Sequence, residues 1–71
     1  MERVSLQREM LTVKIEENPV PVKVARLNSQ IVNVHAEYED CRRIAKHSSS
    51  SLQSIMRKAE QMALEALNVE Q

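Results

Sequence analysis

The 71-residue sequence has no glycine, no tryptophan and no phenylalanine, and only one tyrosine, one cysteine and two prolines. Without glycine it can carry neither a P-loop nor a glycine-rich dinucleotide fingerprint, because both need backbone approaches that a side chain blocks. A phosphate group would have to be held by side chains or by helix N-termini. With Tyr38 as the lone aromatic, the stacking platforms used by binders of single-stranded nucleic acid are missing. Ten basic residues cancel ten acidic ones, so no long-range field draws the chain to DNA or to an anionic membrane. A single cysteine, Cys41, cannot form an internal disulfide, which fits a reducing cytoplasm better than secretion. No apolar run approaches the roughly 18 residues of a membrane span, and nothing near Met1 reads as a signal-peptide core. The expectation is a soluble, cytoplasmic protein with neither nucleic acid nor membrane as partner.

What is present has the period of strands first and of helices later. Leu11, Val13 and Ile15 alternate with Thr12, Lys14 and Glu16, while Val4, Leu6 and Met10 keep the opposite parity. A bulge or bend near Met10–Leu11 would reconcile the two. Asn18–Pro19 reads as a turn. Val20, Val22 and Val24 then make a second strand, with Pro21 expected at an edge or at the strand's start. Asn28–Ser29 reads as a further turn and Ile31 to Val34 as a short third strand. Two tight turns imply an antiparallel meander.

From residue 36 the period becomes helical: Tyr38, Cys41, Ile44 and Ala45 share a face, with acids in the first turn and bases in the last, opposing the macrodipole. Ser50 followed by Gln53 matches a capping box. Leu52, Ile55, Met56, Ala59, Met62, Ala63, Ala66 and Leu67 form an apolar stripe about 25 Å long at 1.5 Å per residue. The predicted fold is α+β, a three-stranded meander followed by two helices packed on one face of the sheet, as a single small domain over residues 1–71. Such a chain buries only about 60% of its unfolded surface, so self-association or a partner segment is expected.

Among polar residues, Glu37 and Asp40 lie three apart on the predicted helix and share a face, whereas Glu39 points elsewhere. Two such carboxylates suit a magnesium-type ion, and the same acids equally suit a helix N-terminus. Arg8 interrupts an apolar face and Lys23 lies on the valine-free face of the second strand, so each either pairs with a carboxylate, reaches a ligand or is solvated. His35, Cys41 and His47 lack zinc-ligand spacing, and Cys41 reads as a small buried hydrophobe.

The stretches "REMLTVKIEENPVPVKVARLNSQIVNVHAEYEDCRRIA" and "SLQSIMRKAEQMA" resemble the C-terminal end of the nickel-pincer cofactor biosynthesis family, the nickel-insertion proteins associated with lactate racemase. The family pattern runs Arg-Glu, Thr-Val-x-Thr-x-x-Gly, Val-x-Val-Lys-Val, Pro-Glu-Tyr-Glu-Asp-Cys and Gly-x-Pro-Leu. Here Arg8-Glu9, Thr12-Val13, Val20 to Val24, Ala36 to Cys41 and Ser49 to Leu52 stand at those places. Asn18 and Ser49 replace family glycines, and Ala36 or Ser51 a family proline. The resemblance implies a fragment from the C-terminal end of a longer enzyme that uses CTP to put nickel into a pyridinium bisthiocarboxylate mononucleotide, a lyase-class reaction, with Mg²⁺ or Mn²⁺ helping to hold the nucleotide. It further implies that Arg8, Lys23 and Arg42 contact the nucleotide and that Glu37, Glu39 and Asp40 serve the ion. The isolated chain is expected to be inactive, with the remainder of the parent protein as its partner. Two other readings compete. One is a non-enzymatic assembly module that self-associates through Leu52–Leu67, and the other, weaker for want of a basic surface, is a helix-turn-helix.

Overall fold

Alternating branched and polar residues do form three strands, and the computed structural model, which describes residues 6–69, pairs them in chain order. β1 (Leu6–Ile15), β2 (Asn18–Leu27) and β3 (Gln30–Ala36) make one antiparallel sheet in the order β1-β2-β3, followed by α1 (Tyr38–Lys46) and α2 (Leu52–Val69). This is the β-β-β-α-α order expected from the sequence.

The hairpin turns show where local chemistry wins. Both have two residues with positive φ: Glu16 at 51° and Glu17 at 68°, then Asn28 at 52° and Ser29 at 72°. Two left-handed residues in a row are the signature of the turn whose twist matches antiparallel strands. The second turn falls on Asn28–Ser29 as expected, whereas the first does not fall on Asn18–Pro19. Proline pushes its preceding residue towards extended angles, so Asn18 becomes the first residue of β2, opposite Ile15. Its side-chain amide donates to the Glu16 carbonyl at 2.9 Å, tying down the turn from outside. The left-handed angles are thereby forced onto two glutamates, at about 1–2 kcal/mol each. Glu16 also accepts a hydrogen bond from the Ser48 hydroxyl at 2.8 Å, but no hydrogen bond is found for the Glu17 side chain among the described residues. Glu17→Gly is therefore expected to stabilise the fold. After the greater unfolded-state freedom of glycine is subtracted, about 0.5–1 kcal/mol remains, raising the thermal midpoint by roughly 2–8 °C. An unchanged or lowered midpoint in a melting curve would show that the turn is not strained.

A bulge exists, but not where the sequence suggested. The β1–β2 register is continuous from Leu6↔Leu27 to Ile15↔Asn18, so Leu6, Arg8 and Met10 simply lie on the sheet face opposite Leu11, Val13 and Ile15. Val4 lies outside the described residues. The irregularity is between β2 and β3, where Ala25 pairs with Asn33 but Arg26 with Ile31. Val32 is thus the extra residue, and it is exposed. One extra residue switches parity, which is how Ile31 and Val34, of opposite parity, both pack against the core.

Pro21 sits in the central strand, at neither the edge nor the first position. Its carbonyl accepts from the Glu37 amide at 3.0 Å, on the side where β3 ends at Ala36↔Val22. A residue's amide and carbonyl point to the same side of a strand, so the missing proton would face Glu37, whose carbonyl already accepts from the Cys41 amide at 3.2 Å, and the proline leaves no acceptor unpaired there.

One face of the sheet is roofed by the helices. Val13, Ile15, Val20, Val22, Val24 and Ala36 are buried with Ile55, Ala59, Ala63 and Leu67 of α2, and with Cys41 and Ile44 of α1. The i, i+4 spacing on α2 keeps its contacts in one line, and the fully buried Ala59 and Ala63 let helix and sheet approach closely. Of the expected stripe, Ala66 is exposed, as is Tyr38 on α1, at 49%. The inward positions of the stripe are part of the chain's own core, so a second copy packing there would have to displace the sheet. The cap of α2 is Ser51 rather than Ser50: the Ser51 hydroxyl accepts from the Ser54 amide at 3.1 Å. Among the described residues no helix is long and apolar enough to cross a membrane.

Candidate functional site

Antiparallel register sets the side chains of the unroofed face in two rows. Arg8 stands opposite Ala25, which stands opposite Asn33; in the next row Met10 stands opposite Lys23, which stands opposite His35. Strands lie about 4.8 Å apart. The small Ala25 at the centre, ringed by five longer side chains, leaves a depression. The cleft measures about 590 Å³, and those six residues line it together with Glu9 and Val24. It has the size of a small-molecule site, and it carries the cationic side chains of Arg8 and Lys23 with one acid in its lining, Glu9, which is ion-paired at 2.7 Å with Arg26.

The sequence-nominated residues divide on this frame. Arg8 and Lys23 are brought into one cleft. Glu37 reaches its rim: at the N-terminal boundary of α1 it makes no side-chain cap, and its carboxylate lies 3.5 Å from the Lys23 ammonium. Arg42 is apart, lining no part of the cleft, and is ion-paired at 3.6 Å with Glu39 one turn earlier. Asp40 is ion-paired with Arg43. The three acids nominated for a metal thus turn to three different bases, and no group of three or more His, Cys, Asp or Glu side chains converges as a metal cage among the described residues. Of the three, Glu37 alone stands beside the cleft, through its contact with Lys23. Glu39 and Asp40 instead fill the first turn of α1 where acids complement the helix dipole.

Sequence reasoning passed over two residues of the cleft, Asn33 and His35. His35 is backed from α2 by Glu60, whose carboxylate stands 3.9 Å from Nδ1 and accepts the Ala36 amide at 3.0 Å. That one side chain ties the end of β3 to the helix layer. Only the pairing across the bulge shows the two residues as cleft walls.

Cys41 takes no part in the cleft. Burial chiefly, then the charges of Asp40 and Glu60, push its thiol above its ordinary value of 9.0. A raised folded-state value means the native chain holds the proton longer than the unfolded one. Its contribution to stability is present below the unfolded-state value and lost as pH rises through the folded one. Urea midpoints are expected to fall above about pH 9 in the native protein and to fall less in Cys41→Ala; equal falls would remove the thiol from the account.

The pattern of the family described as nickel insertion protein matches residues 1–56, a span that includes the whole cleft and Glu37. The chain is 41% identical over 56 residues to the pyridinium-3,5-bisthiocarboxylic acid mononucleotide nickel insertion protein of Thermotoga sp. (strain RQ2), covering 79% of this chain and 14% of that protein. It is 41% identical over 58 residues to a putative nickel insertion protein of Acaryochloris marina, covering 82% of this chain and 14% of the relative. A third, from Methanosarcina barkeri, is 49% identical over 43 residues, 59% of this chain and 11% of its own length. The chain therefore spans about one seventh of the length of the first of these relatives. No solved structure matches. With 56 of its residues inside the family's pattern, the chain belongs to the nickel insertion protein family.

Proposed function

We propose that the chain is the nucleotide-handling end of a nickel-insertion enzyme, one that uses CTP to place nickel into a pyridinium bisthiocarboxylate mononucleotide in a reducing cytoplasm. Nickel and the mononucleotide are the substrates. The observation that carries the reading is the meeting of Arg8 and Lys23 in one cleft on the unroofed sheet face, with Glu37 3.5 Å from Lys23, inside the family's matched span. Cationic donors form short, charge-assisted hydrogen bonds to phosphate oxygens, and a triphosphate needs such donors where no glycine loop exists. Mg²⁺ or Mn²⁺ usually keeps most of its waters and takes one or two carboxylates beside substrate phosphates; Glu37 is in place for one of them. CTP supplies the activating phosphates, and the residues of this chain bind and orient them. Arg42, Glu39 and Asp40 act within α1 and leave the ligand to the sheet. The chain alone binds and does not turn over, and the residues that handle nickel belong to the remainder of the parent protein.

The test is a titration of isotope-labelled chain with CTP and Mg²⁺, repeated with a trace of Mn²⁺ to broaden signals near the ion. Shifts are expected to cluster at Arg8, Lys23 and Glu37, with broadening strongest at Glu37. If no amide in that group moves at excess CTP, the reading is wrong.

A further inference from the structure

We infer that the β3 wall of the cleft, Asn33 and His35, grips the nucleoside end of the same ligand, so that one face of the sheet divides a nucleotide into a phosphate half and a nucleoside half. This rests on the proposed nucleotide reading and goes beyond it, because neither residue belongs to the phosphate-binding set.

The division follows from the rows. Arg8 and Lys23 project from β1 and β2, whereas Asn33 and His35 project from β3, on the far side of Ala25 from Arg8. Two strand spacings, about 9.6 Å, separate the outer members of a row. That is further than a single phosphate reaches, so a ligand touching both walls is extended. The floor between them is the methyl group of Ala25, flanked by the exposed thioether of Met10. A flat heterocycle can lie there against apolar and polarisable surface without the aromatic platforms the sequence lacks. The far wall has the mixed donor and acceptor character that a base edge and a ribose demand. Asn33 offers both an amide donor and a carbonyl acceptor, and its side chain makes no hydrogen bond within the described part of the chain. His35 is more exposed than buried, and Glu60 stands on the Nδ1 side of its ring. With that nitrogen turned to Glu60, Nε2 is the one left to meet a hydroxyl or an amine of the ligand.

The experiment compares CTP with inorganic tripolyphosphate, each with Mg²⁺, on the native chain, Asn33→Ala, His35→Ala and Lys23→Ala. Both wall residues are exposed, so folding is expected to be retained, and an amide spectrum of each variant checks it. Lys23→Ala is expected to weaken both ligands. Asn33→Ala and His35→Ala are each expected to weaken CTP by roughly 3- to 10-fold, the loss of one neutral hydrogen bond, and to leave tripolyphosphate unchanged. Equal losses for both ligands would make the wall a phosphate contact and overturn the division. If Lys23→Ala weakens both ligands while the two wall variants change neither, the division fails and the phosphate reading stands. If the native chain binds neither ligand, both fall together.

Discussion

Ile15→Ala is expected to remove much of the chain's stability. Ile15 is 1% exposed, the last residue of β1, packed inside a core of twelve buried residues. Truncating a buried isoleucine to alanine costs about 2–5 kcal/mol, from lost transfer energy plus the cavity left behind. A chain of this length has about 3.5–10 kcal/mol in total at 0.05–0.15 kcal/mol per residue, so the loss is comparable with the whole. The site is also poorly placed to collapse, since Ile15 leads directly into the two left-handed glutamates and its strand pairs without slack up to Asn18. Urea unfolding should show the midpoint falling by about a fifth at the least, while Thr12→Ala on the exposed face of the same strand stays within about 0.5 kcal/mol. A change under 1 kcal/mol for Ile15→Ala would mean that the roof of α2 is not seated on the sheet as described.

The same core explains what could be read from the residues and what could not. Valines at alternate positions and an i, i+4 line on α2 report burial directly, because burial depends on each element's own period. Turn position was half legible: Asn28–Ser29 carries residues that tolerate positive φ, whereas Glu16–Glu17 carries none and takes the turn because Pro19 denies it to Asn18. The bulge was illegible. Counting outward from the Asn28–Ser29 turn would set Lys23 against Val34; the extra Val32 advances β3 by one and sets it against His35 instead. A site that depends on cross-strand neighbours inherits that one-residue uncertainty, so Lys23 and Arg8 could be nominated while Asn33 and His35 could not. The acidic turn divides for a different reason. Three carboxylates close in sequence look like a ligand set, but Arg42 and Arg43 lie three residues beyond Glu39 and Asp40, where helical spacing brings opposite charges together. Only Glu37, ahead of the helix, was free to turn to another element.

Lys23→Glu is expected to abolish most nucleotide binding while leaving the fold nearly untouched, and that combination makes it the more decisive of the two substitutions. Lys23 is 61% exposed and its contact with Glu37 is a surface ion pair, worth about 0–1 kcal/mol to stability. In the cleft the arithmetic differs. The substitution removes one charge-assisted hydrogen bond, about 1.5–3 kcal/mol, and sets a second carboxylate beside Glu37 facing a polyanion, at about 1 kcal/mol for unit charges 4 Å apart in water. The sum, about 2.5–4 kcal/mol, predicts a fall in CTP affinity of roughly sixtyfold or more, since each 1.4 kcal/mol is about tenfold. Lys14→Glu separates contact from field: Lys14 is exposed on the same sheet face and strand as Arg8, opposite Pro19 and outside the cleft, and its reversal changes the net charge equally. At physiological salt, where charges beyond about 8 Å are screened, Lys14→Glu should cost no more than a few-fold. Calorimetric titration of both variants with CTP and Mg²⁺ measures the difference. Equal losses would mean that the nucleotide responds to the chain's overall charge and that the two rows of side chains around Ala25 are not where it sits.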